Sequence, residues 1–176
     1  MLLDDILPRW DHRERHELRV GAPTEDVLAA VESMTWKDLP VLRALSALSP
    51  ASRRPPHGRA PFLDRMTAGG FRVLHRGPDE LVVGAVAPVR RGGRARSLDP
   101  DPCAAFVAFT EPGHYRVAFN FRHAGGVLGT ETRVAVTNPD LLRAFTRYWR
   151  LIRLPGGLIR REWLRAIRTA AVTPNG

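Results

Sequence analysis

The residue types best suited to chemistry are concentrated in two neighbouring runs, His114 to Arg122 (HYRVAFNFR) and Thr130 to Val136 (TETRVAV). Together they hold an amide, a carboxylate and a guanidinium: Asn120, Glu131 and Arg133. A carboxylate whose pKa is raised by burial can act as base or acid, for example in an aldol-type cyclisation or dehydration. On that reading Glu131 is the candidate catalytic residue, with Asn120 and Arg133 as polar ligand contacts. Whether the three meet a cavity depends on how the runs pair. In the first, Tyr115, Val117, Phe119 and Phe121 alternate as an apolar face; in the second, Thr130, Thr132, Val134 and Val136 are its counterpart. Pairing Phe121 with Thr130 sets Phe119 against Thr132, Val117 against Val134, and Asn120 against Glu131. Arg116, Arg122 and Arg133 then share the other face. A slip by one residue would scramble both faces, so the register is well specified. The polar face is read first as solvated, where a cross-strand charge pair contributes little. The rival reading bends the sheet so that this face becomes the polar floor of a cavity.

Other chemistries find less support. The histidines (His12, His16, His57, His75, His114 and His123) show no metal spacing, and the lone Cys103 supports neither a disulfide framework nor a thiolate metal site. There is no Gly-rich phosphate loop after a strand and no Gly-x-Ser-x-Gly elbow. Neither metal nor cofactor is expected.

The elements that position these residues are read from periodicity and punctuation. Residues 1–12 form a lead-in, with Ile6, Leu7 and Trp10 able to dock on the body. A first strand over 13–22 is expected at a sheet edge, given its charge. Thr24 is a natural N-cap for a helix carrying Val27, Val31 and Met34, and a second helix follows over 39–48. The stretch 49–60 (SPASRRPPHGRA) reads as a mobile loop. A short helix over 61–68, a hairpin turning at Gly77-Pro78-Asp79, a basic turn at 90–94 and a helical turn within 97–110 lead to the paired runs. Gly125-Gly126 reads as their hairpin loop.

The last helix, 139–172, begins at an Asn138 or Thr137 cap with Pro139 in its first turn. A break at 154–157 (LPGG) is expected, as a gate hinge. Phe145, Tyr148, Trp149 and Ile152 recur at helical spacing and must be covered. They are expected to close over the hollow of a curved sheet, lining a pocket with Tyr115, Val117, Phe119 and Phe121. The helix arginines (Arg143, Arg147, Arg150, Arg153, Arg160, Arg161, Arg165 and Arg168) mostly fall opposite that stripe. They read as its solvated back, with an anionic-lipid or nucleic-acid contact as the second reading.

At 176 residues and 19.6 kDa, with 44% hydrophobic and 26% charged residues, one domain over 1–176 is expected. No apolar run reaches the length of a membrane span. The opening Met1-Leu2-Leu3-Asp4-Asp5 carries acids where a secretory signal would be basic, so a cytoplasmic location is expected. The net charge of +9 comes almost wholly from arginine, Lys37 being the only lysine. Such a bias follows genome composition as readily as a partner, so nucleic acid is not among the expected partners.

The order strand, helices, antiparallel strands, long final helix resembles the helix-grip superfamily, across roughly residues 13–172. That superfamily takes in the START domains, the birch-pollen-allergen-like proteins and the polyketide cyclase/dehydrase-like proteins (SRPBCC). The stretches FVAFTEPG (106–113), Phe119-Asn120-Phe121, Thr130 to Val134, Tyr148 to Ile152 and Gly157 to Arg161 are similar to an uncharacterised bacterial branch of it. That branch often carries an aromatic pair after the glycine of the third-strand region, where this chain has Ala85-Val86-Ala87-Pro88; a remodelled pocket wall is implied there. The resemblance implies an α+β fold, a curved antiparallel sheet around a long C-terminal helix, enclosing a cavity for a small hydrophobic or amphipathic ligand such as a lipid or polyketide. Binding is the function expected. A cyclase or dehydratase in the same cavity, and a basic module for nucleic acid or an anionic surface, are the alternatives.

Overall fold

The computed structural model describes residues 2–47, 59–90 and 93–173. Positions 49–58 of the expected loop and 91–92 of the basic turn lie outside the described residues. Helix α1 (Leu2–Ile6) leads into strand β1 (His12–Arg19), followed by α2 (Thr24–Ser33), a single 3-10 turn (Trp36–Asp38), α3 (Pro40–Ala47) and α4 (Phe62–Ala68). The hairpin β2 (Arg72–Arg76) and β3 (Glu80–Pro88), helix α5 (Pro102–Ala108), and the hairpin β4 (His114–Ala124) and β5 (Val127–Val136) precede α6 (Pro139–Val172). The strands form one antiparallel five-stranded sheet in the order β1-β5-β4-β3-β2. The long C-terminal helix packs on it in a helix-grip arrangement.

The expected register is present: Phe119 faces Thr132 and Val117 faces Val134. Gly125 and Gly126 make the two-residue turn with φ of +58° and +74°, the left-handed values that a tight hairpin favours and glycine adopts without steric cost. As its charge suggests, β1 is an edge strand, its alternating residues half-buried and exposed.

Two local expectations change. Thr24 is the first residue of α2 rather than its cap; its Oγ1 lies 3.0 Å from Nδ1 of the buried His123. Asn138 does cap α6, accepting from the Asp140 N–H at 2.9 Å. The break expected at 154–157 is absent, since α6 runs through Pro155 for 34 residues. Proline removes one backbone hydrogen bond there. Buried anchors on both sides, Phe145 before it and Trp163, Leu164 and Ile167 after it, hold the two halves on one track.

The larger correction concerns the sheet. It is covered on both faces. On one side Phe119, Phe121, Leu81, Val83 and Leu128 pack against α2, Phe62 of α4 and the second half of α6. On the other, Val82, Val86 and Ala118 pack against Leu3, Ile6 and Leu7 of the lead-in and Phe106 of α5. Strand β3 is accordingly apolar at nearly every position, as a strand buried on both faces must be.

Gly84 shows how tightly the second layer sits. A Cβ placed there would lie 2.5 Å from Leu74 Cδ1 and 3.2 Å from the Val117 carbonyl oxygen. Gly84→Ala is expected to destabilise the fold by about 1–3 kcal/mol in urea denaturation. Unchanged stability would mean that α5 and β2 do not press on this strand.

Candidate functional site

Below Trp163 the space between helix and sheet is full. Its indole meets Phe62, Phe119 and Phe121 at ring-centroid distances of 5.0, 5.4 and 5.7 Å. Phe119 and Phe121, expected in a pocket, are therefore solid core. Val117, one step towards the other end of the sheet face, is half-buried.

Room exists at that other end. A cleft of about 550 Å³ lies between the first half of α6 and the ends of β3 and β4. Ala87, Pro88 and Val89 form one wall, Phe145 and Leu151 the other, and Tyr115 and Tyr148 contribute phenol rings. Tyr115 is placed by its pairing with Ala87 across β3 and β4, and Phe145 packs on it at 4.8 Å. Tyr148 packs edge-on against Phe145 at 5.8 Å. Burial pushes the Tyr115 phenol above its usual pKa, with the neighbouring Tyr148 adding to the shift. Tyr115 is thus a neutral hydrogen-bond donor. Among the described residues neither phenol hydroxyl has a hydrogen-bond partner. Arg90 and Arg147 bring two guanidinium groups to the cleft.

Of the residues expected to line a pocket, Tyr115, Phe145 and Tyr148 meet here. Tyr148 differs from expectation in being 41% exposed, at the cleft's lip and not its floor. Trp149 turns aside to stack on His12 at 5.4 Å, where His12 Nε2 also reaches Thr146 Oγ1 at 3.1 Å. Burial lowers the His12 pKa, outweighing the nearby Asp11. Trp149 therefore fastens β1 to α6. Ile152 is half-buried on the sheet side and does not line the cleft.

Ala87, Pro88 and Arg147 were not singled out as site residues. The signal for the first two was present in the Ala-Val-Ala-Pro run: small residues stand where a bulkier wall would close the cleft. Arg147 belongs to the helix back, and only its position beside Tyr148 reveals its second neighbourhood.

Asn120, Glu131 and Arg133 do come together, but on the far side of the sheet from the cleft and shut away from water. Glu131 and Arg133 are 3% and 2% exposed. Arg13 Nε and Nη2 each reach a Glu131 oxygen at 2.8 Å, and Arg133 Nε donates to Oε1 at 2.7 Å. Asn120 accepts from the Glu131 N–H at 2.7 Å and donates to Glu80 Oε1 at 2.7 Å.

Glu80 in turn takes the Leu2 and Leu3 N–H groups, while Arg133 Nη1 donates to the Leu3 and Leu7 carbonyls. Trp10 lies under the Arg133 guanidinium at 4.0 Å. Neither the solvated face nor the cavity floor describes this: it is a clasp that fixes the N-terminal segment. Arg116 also departs from solvent. It lies half-buried under α5, bonded to the Phe106 and Val107 carbonyls, and desolvation lowers its pKa. Arg160, expected on the helix back, turns inward to Thr132 Oγ1 at 2.7 Å.

Burial pushes the Glu131 carboxyl up, but the hydrogen bonds and charges of Arg13 and Arg133 outweigh it and hold the group below the usual carboxylate value. The upward shift that acid–base catalysis would require is not there. Its ionised form is stabilised by folding, fully so above the unfolded pKa of about 4.3, and that stabilisation is lost as pH falls through the lower folded value. Glu131→Gln takes the buried carboxylate from Arg133 and leaves it only the largely exposed Asp4, 2.5 Å from its Nη2, so it is expected to cost about 3 kcal/mol at neutral pH. In urea denaturation the gap between variant and wild type should close below about pH 4. A gap that persists, or none at pH 7, would contradict this role.

No protein-family model matches the chain, and no curated protein matches it. Among solved structures it is similar to the crystal structure of the di-domain ARO/CYC BexL from the BE-7585A biosynthetic pathway. The identity is 14%, the TM-score 0.33, and the match covers 93% of this chain and 50% of that one. The chain thus spans about half the length of that protein.

Proposed function

We propose that the cleft under the first half of α6 binds a small amphipathic molecule. Its volume, about 550 Å³, is that of a site for one small ligand. The observation that carries the reading is the pairing of apolar walls with unpartnered phenol hydroxyls and two arginines. Ala87, Pro88, Val89, Phe145 and Leu151 suit a hydrocarbon or ring body. Tyr115 and Tyr148 can donate to a carbonyl or carboxylate, and Arg90 and Arg147 favour an anionic end. The resemblance to SRPBCC proteins is in keeping with a ligand of this kind.

Binding is favoured over turnover by what lines the cleft. Its titratable groups are phenols and guanidiniums, with no carboxylate, imidazole or thiol among the lining residues. A cyclisation or dehydration needs a base near the reacting carbon. Tyr115 is held protonated, and Glu131 lies across the sheet bound to two arginines.

Cis-parinaric acid, a fluorescent fatty acid, offers a direct probe. Saturable binding to the wild type is expected, weakened about tenfold or more by Ala87→Phe, which fills the wall. Thermal unfolding of the variant by circular dichroism controls for folding, and Ala144→Trp, on the exposed side of the same cleft, should weaken binding in parallel. Absence of saturable binding, or equal affinity in both variants and wild type, would overturn the proposal.

A further inference from the structure

The outer face of α6 carries an apolar stripe that the core does not use. Leu151, Leu154 and Leu158 recur at helical spacing and are 69%, 80% and 56% exposed. They lie opposite the buried Phe145, Trp163 and Ile167. Arg147, Arg150, Arg153 and Arg161 surround them, all exposed. Among the described residues none of these four guanidiniums lies within ion-pair distance of a carboxylate. The carboxylate nearest in sequence, Glu162, is engaged with the Val41 and Leu42 N–H groups at the start of α3. The stripe extends at both ends: Leu158 shares a surface groove with Val41 of α3, and Leu151 shares the cleft with Tyr148.

Leucines at the centre of an unneutralised basic face restrict what can cover it. A second copy of the same face would oppose arginine to arginine. A nucleic acid would satisfy the arginines but leave the leucines in water, because phosphates offer them nothing. A surface that presents negative charge with hydrocarbon just beneath satisfies both, and a helix with leucines flanked by arginines lies in such a surface. No helix of the described residues is long and apolar enough to cross a membrane, so the contact would be a lying one.

We infer that the outer face of α6 between Tyr148 and Leu158 docks on an anionic phospholipid surface. Tyr148, Leu151 and Arg147 belong to both this face and the cleft, so docking sets the cleft mouth against the bilayer. The docking face stands without the ligand reading; only the meaning of the cleft's placement rests on it.

Co-sedimentation of the full chain with vesicles tests this. Vesicles of equal parts phosphatidylcholine and phosphatidylglycerol are expected to bind it at physiological salt, and pure phosphatidylcholine vesicles only weakly. Leu154→Ser with Leu158→Ser, both away from the cleft, should weaken binding about tenfold or more. Replacing Arg150, Arg153 and Arg161 by glutamine should weaken it similarly. Because these side chains are exposed, unchanged thermal unfolding is expected in both variants.

No binding to the anionic vesicles would overturn the inference, as would a leucine variant that binds like wild type. So would a short DNA duplex that displaces the protein from the vesicles, because the arginines would then serve phosphates alone. Cis-parinaric acid binding by the leucine variant, measured without vesicles, separates the two proposals: docking lost with ligand binding kept is the expected pattern. Wild type that takes the probe but ignores the vesicles sinks only the docking face.

Discussion

Trp163 is the point from which the helix–sheet geometry is set. Its indole fills the angle between Phe62, Phe119 and Phe121, and with Leu164 and Ile167 it seats the second half of α6 firmly in the core. With Phe145 anchored before Pro155 and Trp163 after it, the two halves of the helix stay in line, so the seat of the far half sets the course of the near half. That near half runs past the ends of β3 and β4, where Tyr115 supplies one ring but the β3 side chains beside it, Ala87 and Pro88, are small. The cleft is the difference between a bulky contact at one end and a small one at the other.

The opposite face of the sheet obeys a different constraint. Burying Arg133 requires that its charge and its donors be satisfied, since an unpaired cation out of water is costly. Glu131 and Asp4 supply the charge, accepting from Nε and Nη2, the Leu3 and Leu7 carbonyls accept from Nη1, and Trp10 covers the guanidinium face. Asn120 and Glu80 complete the arrangement by holding the start of α1. The most polar residues of the hairpin thus anchor the chain's first turn, which frees the apolar face to receive α6.

Much of this was legible in the sequence because it depends on periodicity. The β4–β5 register followed from Tyr115, Val117, Phe119 and Phe121 alternating against Thr130, Thr132 and Val134, and the extent of α6 from its aromatic stripe and its Asn-Pro start. What periodicity does not carry is which segment covers a face. An alternating strand with arginines on one side reads the same whether that side meets water or a short N-terminal helix with matching carbonyls. The role of Glu131 was unreadable for that reason. Pro155 and the two glycines misled in the opposite direction, because local propensity marks a break while tertiary anchors at Phe145 and Trp163 override it. The cleft was half legible. Tyr115 and Phe145 followed from the pattern, whereas Phe119 and Phe121 needed the knowledge that Trp163 occupies the space beneath them.

The cleft and the leucine stripe share a border at Tyr148 and Leu151, so room beneath α6 adjoins the exposed leucines of its outer face. The central claim is that this room takes an amphipathic molecule. Amide chemical-shift mapping by NMR during titration with dodecanoate tests it most directly. Saturable shifts at Ala87, Val89, Tyr115 and Tyr148, with Phe121, Glu131 and Trp163 unmoved, are the expected result. Shifts centred on Glu131 and Asn120, or none that saturate, would contradict it.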